Sequence, residues 1–335
     1  MPEKSPIKKV CVIGGGGYVG AVLAPMLLSA GYKVTVYDLF IYGMDVFPEC
    51  ASNQNLTLVK GDVRDIKTLS NTLKGLDAVI HLACISNDPS VELDPNLAKS
   101  INLDCFPDCV KSAKKHGVKR FIYASSSSVY GIKETENVTE DMPLSPLTDY
   151  SRFKAACEDI ALTEAVDAMT TLVLRPATVC GYSPRQRLDL TVNILTNHAV
   201  NKGKITVFGG TQKRPNIHIK DICNVYINAL KWEHAKIHKK IFNAGYENFT
   251  LMQIADMVKE VVGPNLSVVV EPTDDLRSYH ISSAKIKKEL GYEPSHSIKD
   301  AIADLTKAFS AGVLHDPLNN PLYYNIKQMN QIHLK

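Results

Sequence analysis

The chain has 335 residues, more than the roughly 250 to 300 that one hydrophobic core usually serves, so we expect two domains. Hydrophobic residues make up 45% and charged residues 22% of the chain, as in soluble globular proteins, which excludes a disordered or fibrous chain. The 38 Lys and Arg against 35 Asp and Glu leave a net charge of +3, without the basic surplus of a nucleic-acid-binding surface, so we expect a small-molecule partner and no nucleic acid.

Six short apolar runs in the first half of the chain have the length and composition of β-strands. They cover residues 9–13, 33–37, 56–60, 78–83, 121–124 and 171–174. Helix-length amphipathic segments separate them, and this alternation of strand and helix predicts βαβ units. The predicted fold class is therefore α/β, with a doubly wound parallel sheet that carries helices on both faces.

The pattern changes after Pro176, where a loop rich in Pro and Arg precedes less regularly spaced elements. We predict helices over residues 188–201, 221–231, 251–261, 283–290 and 298–309. A first domain at 1–178 is then followed by a smaller α/β substrate domain at 179–314, with parts of 214–246 returning to the first domain. Residues 315–335 lack clear periodicity and are expected to form an ordered or partly ordered extension.

Residues 11–31 carry no charge and follow Lys8 and Lys9, so they superficially resemble a signal peptide or a membrane span. Their six glycines and one proline would break an apolar helix at its middle. We therefore expect a cytoplasmic protein without a membrane partner. The eight cysteines include no CxxC pair, which favours reduced thiols and argues against a metal site.

The segment CVIGGGGYVG at 11–20 joins an apolar strand to the start of a helix. Glycines let such a turn approach a pyrophosphate closely, and the helix N-terminus supplies partial positive charge. A plain tight turn is the alternative for an isolated glycine motif, and the strand and helix on either side make it less favoured here. The loop residues expected to contact the cofactor are Gly14, Gly17, Tyr18, Val19 and Gly20.

Asp38 lies at the end of the second predicted strand, 18 residues after Gly20. An acidic side chain at this position accepts a hydrogen bond from a ribose 2′-OH and repels a 2′-phosphate, so the pattern favours NAD over NADP. Asp62 and Val63 follow the third strand, at the edge where an adenine could dock. For Asp62 a helix-capping role is an open alternative.

Tyr150 and Lys154 are four residues apart in a predicted helix, so both side chains leave the same face. A tyrosine that acts as a base near pH 7 needs a pKa about 3 units below its usual value, which corresponds to roughly 4 kcal/mol. A lysine charge about 4 Å away, at an effective dielectric constant of about 20, supplies about that amount. The pair suits proton transfer, although a Tyr and a Lys at this spacing often only pack and snorkel.

The segment ASSSSVYG at 124–131 directly follows the fifth predicted strand. It therefore lies at the same carboxyl edge of the sheet as the glycine loop, where ligands of open α/β sheets bind. A serine hydroxyl there can hydrogen-bond the oxygen of a reacting sugar. Serine runs are also typical of turns and helix caps, so this segment gains meaning only beside the Tyr–Lys pair.

Five motifs together make the chain resemble the extended short-chain dehydrogenase/reductases of the nucleotide-sugar epimerase and dehydratase type. They are GGGGYVG at 14–20, HLA at 81–83, SSSSVYG at 125–131, YSRFK at 150–154 and RPNIHIKD at 214–221. Their order and approximate spacing match the family over nearly the whole chain. The resemblance implies a Rossmann domain, an enzyme that uses NAD, and a homodimer built through a four-helix arrangement.

The resemblance also assigns roles to individual residues. Tyr150 is implied to be the general base, Lys154 to orient the cofactor ribose and lower the pKa of the tyrosine, and Ser126 to complete the triad. Tyr150 and Ser126 are thereby also substrate-binding residues. Further cofactor contacts are implied for Leu82, Ala83 and Asn102.

Two serines separate this chain from part of that family. After the serine of the triad, the family's 4,6-dehydratases hold an acidic pair, whereas this chain has Ser127 and Ser128. A carboxyl group that protonates a leaving hydroxyl contributes roughly 10²- to 10⁴-fold to the rate. Without it, dehydration is disfavoured, and epimerisation or simple redox chemistry at a ring carbon remains.

Four arginines of the second half are candidates for binding a substrate diphosphate, because the planar guanidinium fork suits bidentate recognition. They are Arg185, Arg187, Arg214 and Arg277. For each one alone, a solvated surface charge is an equally open alternative. The segment SPRQRLDL at 183–190 resembles a branch that includes GDP-heptose C4-oxidising enzymes, so the nucleotide and the sugar stay open.

The sequence therefore predicts an NAD-dependent nucleotide-sugar 4-epimerase that works through a 4-keto intermediate. A one-way C4 oxidoreductase, either a 4-dehydrogenase or a 4-keto reductase, would use the same residues and is the main alternative. A non-catalytic family member that binds NAD or RNA is a further alternative, against which the presence of both Tyr150 and Lys154 argues.

Overall fold

The computed structural model describes residues 6–133, 135, 137–164, 169–273, 278 and 280–335. Its strands are β1 Lys9–Ile13, β2 Lys33–Asp38, β3 Leu56–Lys60, β4 Ala78–His81, β5 Arg120–Ala124, β6 Thr170–Pro176, β7 Thr178–Cys180, β8 Lys204–Phe208, β9 Lys213–His218, β10 Lys240–Ala244, β11 Glu247–Thr250 and β12 Ser267–Glu271. A sheet of seven strands has the order β10-β6-β5-β4-β1-β2-β3, and every pair in it is parallel. This confirms the predicted doubly wound parallel sheet.

Helices connect the strands and cover both faces of the sheet. They are α1 Gly20–Ser29, α2 Ile66–Thr72, α3 Asp88–Leu93, α4 Pro95–Lys99, α5 Phe106–Lys115, α6 Asp149–Glu164, α7 Thr191–Lys202, α8 Ile219–Ala229, α9 His234–Ile237, α10 Leu251–Val262, α11 Ala284–Leu290, α12 Ile298–Ser310 and α13 Asn325–Ile332. A turn of 3₁₀-helix spans Ser127–Tyr130 and another spans Pro321–Tyr323. Within the described residues, none of these helices is both long enough and apolar enough to cross a bilayer.

The central strands are apolar on both faces because each face packs against helices. Alternate residues of β1 point to opposite sides of the sheet. Val10 and Val12 belong to one hydrophobic core, and Cys11 and Ile13 belong to the core on the other face. This explains why the first strand reads as a continuous apolar run and not as an alternating one.

The sheet departs from the prediction at two places. β10 adds a seventh strand beside β6, and its residues lie within the 214–246 stretch that we expected to return to the first domain. β4 ends at His81, two residues earlier than predicted. The backbone N–H groups of Leu82 and Ala83 both donate to the carbonyl oxygen of Ile13, at 2.8 and 3.0 Å, so the chain turns across the end of β1.

A separate hydrophobic core lies among α7, α10, α12 and the parallel pair of β8 and β12. It includes Val192, Ile205, Val258 and Ile302, which are all buried. β11, β9 and β7 form a separate three-stranded sheet. Along the chain, each of these strands connects an element of the main sheet or its helices to an element of this second core. The domain boundaries at 178 and 314 stay predictions.

Residues 315–335 contain a helix that hydrophobic periodicity did not reveal. The buried face of α13 carries Asn325, Gln328 and Met329, and two of these three side chains are polar. A helix that buries amides instead of aliphatic side chains has no apolar stripe in its sequence. The segment was therefore predicted only as an extension.

A buried ion pair fixes α6 against β6. Glu158 accepts two hydrogen bonds from Arg175, at 2.9 Å from Nε and 2.6 Å from Nη2, and both side chains are nearly inaccessible to solvent. Ser125, at the end of β5, donates to the same carboxylate. Arg175 also donates to the Tyr130 hydroxyl at 2.7 Å. The pair thus ties the helix that carries Tyr150 to the end of two strands.

Replacing Glu158 by Ala should lower the free energy of unfolding by about 3–5 kcal/mol, because the charge of Arg175 would remain buried without its partner. Asp159→Ala is the matched control, since the neighbouring carboxylate is exposed and its loss should change stability by about 0.5 kcal/mol or less. Denaturant unfolding of both variants measures the difference. Equal stabilities would contradict the role given to the ion pair.

Candidate active site

A cavity of about 380 Å³ opens at the carboxyl edge of the main sheet. Its walls are the segments that follow β1, β2, β3, β4, β5 and β6, together with one face of α6 and part of residues 315–335. In open α/β sheets this edge is where ligands bind, because neighbouring loops diverge there. Most of the residues that the sequence singled out lie in these walls.

The glycine turn after β1 requires glycine at two positions for steric reasons. Gly14 has φ +81°, and a Cβ atom there would lie 2.4 Å from the backbone nitrogen of Ala83. A Cβ on Gly20 would lie 2.3 Å from the carbonyl oxygen of Gly15. The turn can therefore press against the segment after β4 only without side chains.

The turn also leaves donors available at the start of α1. Gly17, Tyr18 and Val19 line the cavity, and the backbone N–H groups of Tyr18 and Val19 have no acceptor among the described residues. The Tyr18 hydroxyl points elsewhere and donates to the carbonyl oxygen of Gly181 at 2.6 Å. Free amides beside a helix N-terminus fit a pyrophosphate, so this part of the cavity fits the group that the sequence predicted.

Asp38 lines the cavity and its carboxylate is held by the backbone. Oδ2 accepts from Gly16 N–H at 2.9 Å, and Oδ1 accepts from Phe40 N–H at 2.7 Å. Burial raises the pKa of Asp38 above its usual value, while these two hydrogen bonds and the charge of Arg185 lower it. The carboxylate is thus positioned where the second strand ends, as a ribose contact requires.

The predicted contacts beyond Asp38 lie in the walls or directly behind them. Val63, Leu82 and Ala83 line the cavity. Asp62 does not, and its carboxylate instead binds Arg64 at 2.6 Å. Asn102 lies behind the wall, where its amide accepts from Ile85 N–H at 2.8 Å and donates to Ile85 O at 2.9 Å. The roles of Asp62 and Asn102 as direct cofactor contacts stay predictions.

The predicted triad meets at one end of the cavity, which Ser126, Tyr150 and Lys154 line together. The spacing on α6 brings Tyr150 and Lys154 to the same face, as the sequence predicted. Lys154 is buried, and its Nζ donates to the carbonyl oxygen of Ala124 at 2.7 Å. The same Nζ lies 5.9 Å from the centre of the Tyr150 ring.

Opposing effects act on the pKa of Tyr150. Burial raises the pKa of Tyr150 well above its usual value, while a hydrogen bond with Ser126 and the charge of Arg187 lower it. The nearby groups Cys84 and Asp88 raise this pKa further. The role of Lys154 in lowering the pKa of Tyr150 stays a prediction.

The four candidate arginines do not share one location. Arg185 and Arg187 line the cavity, while Arg214 does not and donates to the carbonyl oxygen of Lys213 at 3.1 Å. Arg277 lies outside the described residues. Arg187 donates to Asp189 at 2.6 Å and to Ser86 Oγ at 2.9 Å.

Arg185 points to the cofactor end of the cavity. Its guanidinium stacks on the Tyr42 ring, 3.4 Å from the ring centre, and donates to Asn325 Oδ1 at 2.8 Å. Its charge acts on Asp38, whereas the charge of Arg187 acts on Tyr150. Of the two arginines, Arg187 is the one whose charge lowers the pKa of Tyr150, and the role of both arginines as substrate contacts stays a prediction.

Several cavity residues were missed by the sequence reasoning. Asp88, at the start of α3, lines the cavity and accepts from the Thr148 hydroxyl at 2.6 Å. Its position shortly after the HLA motif could have identified Asp88 as a candidate from the sequence. Asn325, Met329 and Leu334 also line the cavity, and no motif marks them. In the part of the chain that the structure describes, no three His, Cys, Asp or Glu residues group as a metal site would require.

Comparison with known proteins places the chain in a sequence family. Residues 10–245 match the model of the NAD-dependent epimerase/dehydratase family. A UDP-glucose 4-epimerase of Corynebacterium glutamicum is 29% identical over 91% of this chain and 96% of its own length. A dTDP-glucose 4,6-dehydratase of Streptomyces niveus is 24% identical over 93% of this chain and 96% of its own.

A solved structure supports the same fold. The UDP-glucuronic acid 4-epimerase of Bacillus cereus, in complex with UDP-glucuronic acid and NAD, superposes with a TM-score of 0.81. It is 23% identical, and the match covers 90% of this chain and 99% of that one. Together these matches confirm the family, the fold class, the enzymatic nature and the NAD cofactor that the sequence predicted.

Proposed function

The chain belongs to the NAD-dependent epimerase/dehydratase family, and from this membership we propose that it is a nucleotide-sugar 4-epimerase acting through a 4-keto intermediate. One feature of the cavity carries the proposal. Tyr150 and Ser126 line it together beside Lys154, while positions 127 and 128 carry hydroxyl groups. The site thus offers a base for a sugar hydroxyl but lacks the acidic pair that the family resemblance implies for dehydratases.

The proposed chemistry begins with the phenolate of Tyr150, which removes the proton from the sugar 4-OH. When bound, NAD supplies a hydride acceptor for C4 and later the hydride donor. Ser126 hydrogen-bonds the same sugar oxygen, and its own Oγ is oriented by Ser128, which donates to it from N–H at 3.1 Å and from Oγ at 2.9 Å. After the 4-keto sugar turns over, the Tyr150 hydroxyl returns the proton to O4.

Charge at the reaction end supports Tyr150 as the base. Arg187 lowers the pKa of the phenol, against the larger effect of burial. The same arginine is positioned to meet a substrate phosphate, because its guanidinium lines the cavity and is already oriented by Asp189 and Ser86. We assign the substrate diphosphate to Arg187 first. Arg214 and Arg277 remain proposed contacts, and Arg185 is placed at the cofactor end.

Replacing Tyr150 by Phe should reduce turnover by roughly 10²- to 10⁴-fold, because the general base is lost, while bound NAD is retained. Tyr246→Phe is the control, since that tyrosine is exposed and outside the cavity. The purified variants are incubated with UDP-, GDP- and dTDP-hexoses, and NMR detects the 4-epimer. Wild-type turnover by the Tyr150 variant would refute the assignment.

In the same assay, NADH absorbance separates epimerisation from one-way oxidation. An epimerase forms the new isomer without net NADH, whereas a 4-dehydrogenase accumulates NADH with the keto sugar. Net NADH accumulation with every sugar that reacts would overturn the proposed function and leave the oxidoreductase alternative.

Replacing Arg187 by Gln should move the acidic limb of the pH profile of kcat/KM to higher pH, by about 1 unit. The positive charge of Arg187 stabilises the phenolate and lowers the pKa of Tyr150. Without that charge the pKa rises, so a smaller fraction of the base is ionised at each pH. The control is Arg152→Gln, which changes an exposed arginine on α6, the helix that carries Tyr150. It should leave the acidic limb at the same pH. An unchanged limb in the Arg187 variant would exclude this coupling.

We also propose that the protein acts in the cytoplasm as a homodimer in which α5 and α6 form a four-helix arrangement with a second copy. Phe153 and Ile160 on α6 are only partly buried in the single chain, which supports an apolar contact there. Sedimentation equilibrium should give twice the chain mass. A species of monomer mass at micromolar concentration would contradict the proposal.

A further inference from the structure

Residues 315–335, here called the covering segment, form part of the wall of the cofactor cavity. Asn325, Met329 and Leu334 line the same cavity as Asp38 and Val63. The family match ends at residue 245, so these three residues lie outside the region on which the family assignment rests.

Asn325 anchors the segment to three other parts of the chain. Its Oδ1 accepts from Arg185 Nη2 at 2.8 Å and from the Tyr42 hydroxyl at 2.9 Å. Its Nδ2 donates to Ser86 Oγ at 3.1 Å, and its backbone N–H donates to Asp189 Oδ2 at 3.0 Å. The side chain is 4% exposed, so this amide is a buried junction and not a surface contact.

Arg185, which donates a hydrogen bond to Asn325, also lines the cavity. Its guanidinium is held between the Tyr42 ring and Asn325, and its residue is 4% exposed. The Nε atom of Arg185 is buried and makes no hydrogen bond to any described residue. A buried guanidinium donor without an acceptor is costly. Asn325 and Tyr42, which hold this guanidinium in the cavity wall, offset part of that cost.

The rest of the covering segment closes the cavity over the region where the adenine was predicted. Met329 is buried in the same hydrophobic core as Val63 and Ile101. Gln328 Nε2 donates to the carbonyl oxygen of Ile41, and Arg64 Nη2 donates to the carbonyl oxygen of Lys335 at 2.8 Å. The segment is therefore fixed at both ends of the stretch that lines the cavity.

We propose that the covering segment is a binding element for NAD. Met329 and Leu334 cover the adenosine half of the cofactor, and Asn325 is a positioning residue that holds the covering segment and Arg185 in the wall of the cavity. Release of NAD then requires the segment to detach, so the cofactor exchanges slowly. This inference rests on the NAD cofactor and goes beyond the proposed function, because it holds for an epimerase and a one-way oxidoreductase alike.

The test compares Asn325→Ala with Asn330→Ala, an exposed asparagine of the same helix. Release of bound NAD is followed as its exchange with isotopically labelled NAD, analysed by mass spectrometry after rapid desalting. The Asn325 variant should release NAD roughly 10- to 100-fold faster, as expected for loss of hydrogen bonds to a charged group. The Asn330 variant should match the wild type. Asn325→Asp, which keeps an acceptor for Arg185 and Tyr42, should restore most of the retention.

A second measurement uses the unmodified protein and does not depend on the folding of a variant. Hydrogen–deuterium exchange of residues 321–332 is compared for the NAD-bound protein and for protein stripped of NAD. The proposal expects slower exchange of these amides with NAD bound. Equal exchange in the two states, or wild-type NAD release by Asn325→Ala, overturns it. Neither readout depends on turnover, so failure here is distinct from failure of the proposed epimerase activity.

Discussion

The ionisation of the Tyr150 phenol is the constraint on which the proposed chemistry of this cavity depends. Tyr150 is half-buried in the wall of the cavity, and desolvation raises the pKa of its hydroxyl above the ordinary value. Each unit of pKa corresponds to about 1.4 kcal/mol of stabilisation that the surroundings must supply to the phenolate. The charge and orientation of the surrounding polar groups therefore decide how much they stabilise the phenolate.

The groups that favour the phenolate come from different parts of the fold. Ser126 follows β5, and Arg187 belongs to the loop before α7; both lower the pKa of Tyr150. Lys154 donates to the carbonyl oxygen of Ala124, which fixes the lysine against the end of β5 and leaves its other N–H donors for the role predicted from the sequence. The positive ring of oxidised NAD acts in the same direction as Arg187 when the cofactor is bound. In the proposed mechanism, proton transfer is thereby coupled to occupation of the cofactor site.

The parts of the fold that follow from local pattern could be predicted from the sequence. The strands of the first half are short apolar runs buried on both faces, and the glycines at 14 and 20 are required by backbone contacts closer than any Cβ atom allows. The same edge of a parallel sheet collects the glycine loop, Asp38 and the serine run, so these could be placed together without coordinates. Their placement depends on strand order alone.

The remaining features depend on contacts between distant segments, which single-sequence patterns do not encode. The sequence predicted that parts of 214–246 return to the first domain but not that β10 pairs with β6, and α13 buries amide side chains that resemble those of an exposed helix. Arg185 and Arg187 are two residues apart, yet the first stacks on Tyr42 and the second binds Asp189. The partner of each guanidinium determines where in the cavity it lies, and the sequence does not show these partners. The sequence could therefore identify both arginines as candidates but could not distinguish their proposed roles.

Ser86 links these separate segments and relates cofactor retention to the choice of reaction. Its Oγ accepts from Arg187 at 2.9 Å and from Asn325 at 3.1 Å, so the arginine that acts on the base and the anchor of the covering segment share one partner. An enzyme that returns the hydride to the same sugar in each cycle gains from a cofactor that stays bound. An enzyme that oxidises its sugar in one direction must exchange the reduced cofactor or reoxidise it in place. If the covering segment closes over the adenosine half as proposed, its connection through Ser86 to Arg187 favours an enzyme that reuses its bound cofactor, which agrees with the proposed epimerase.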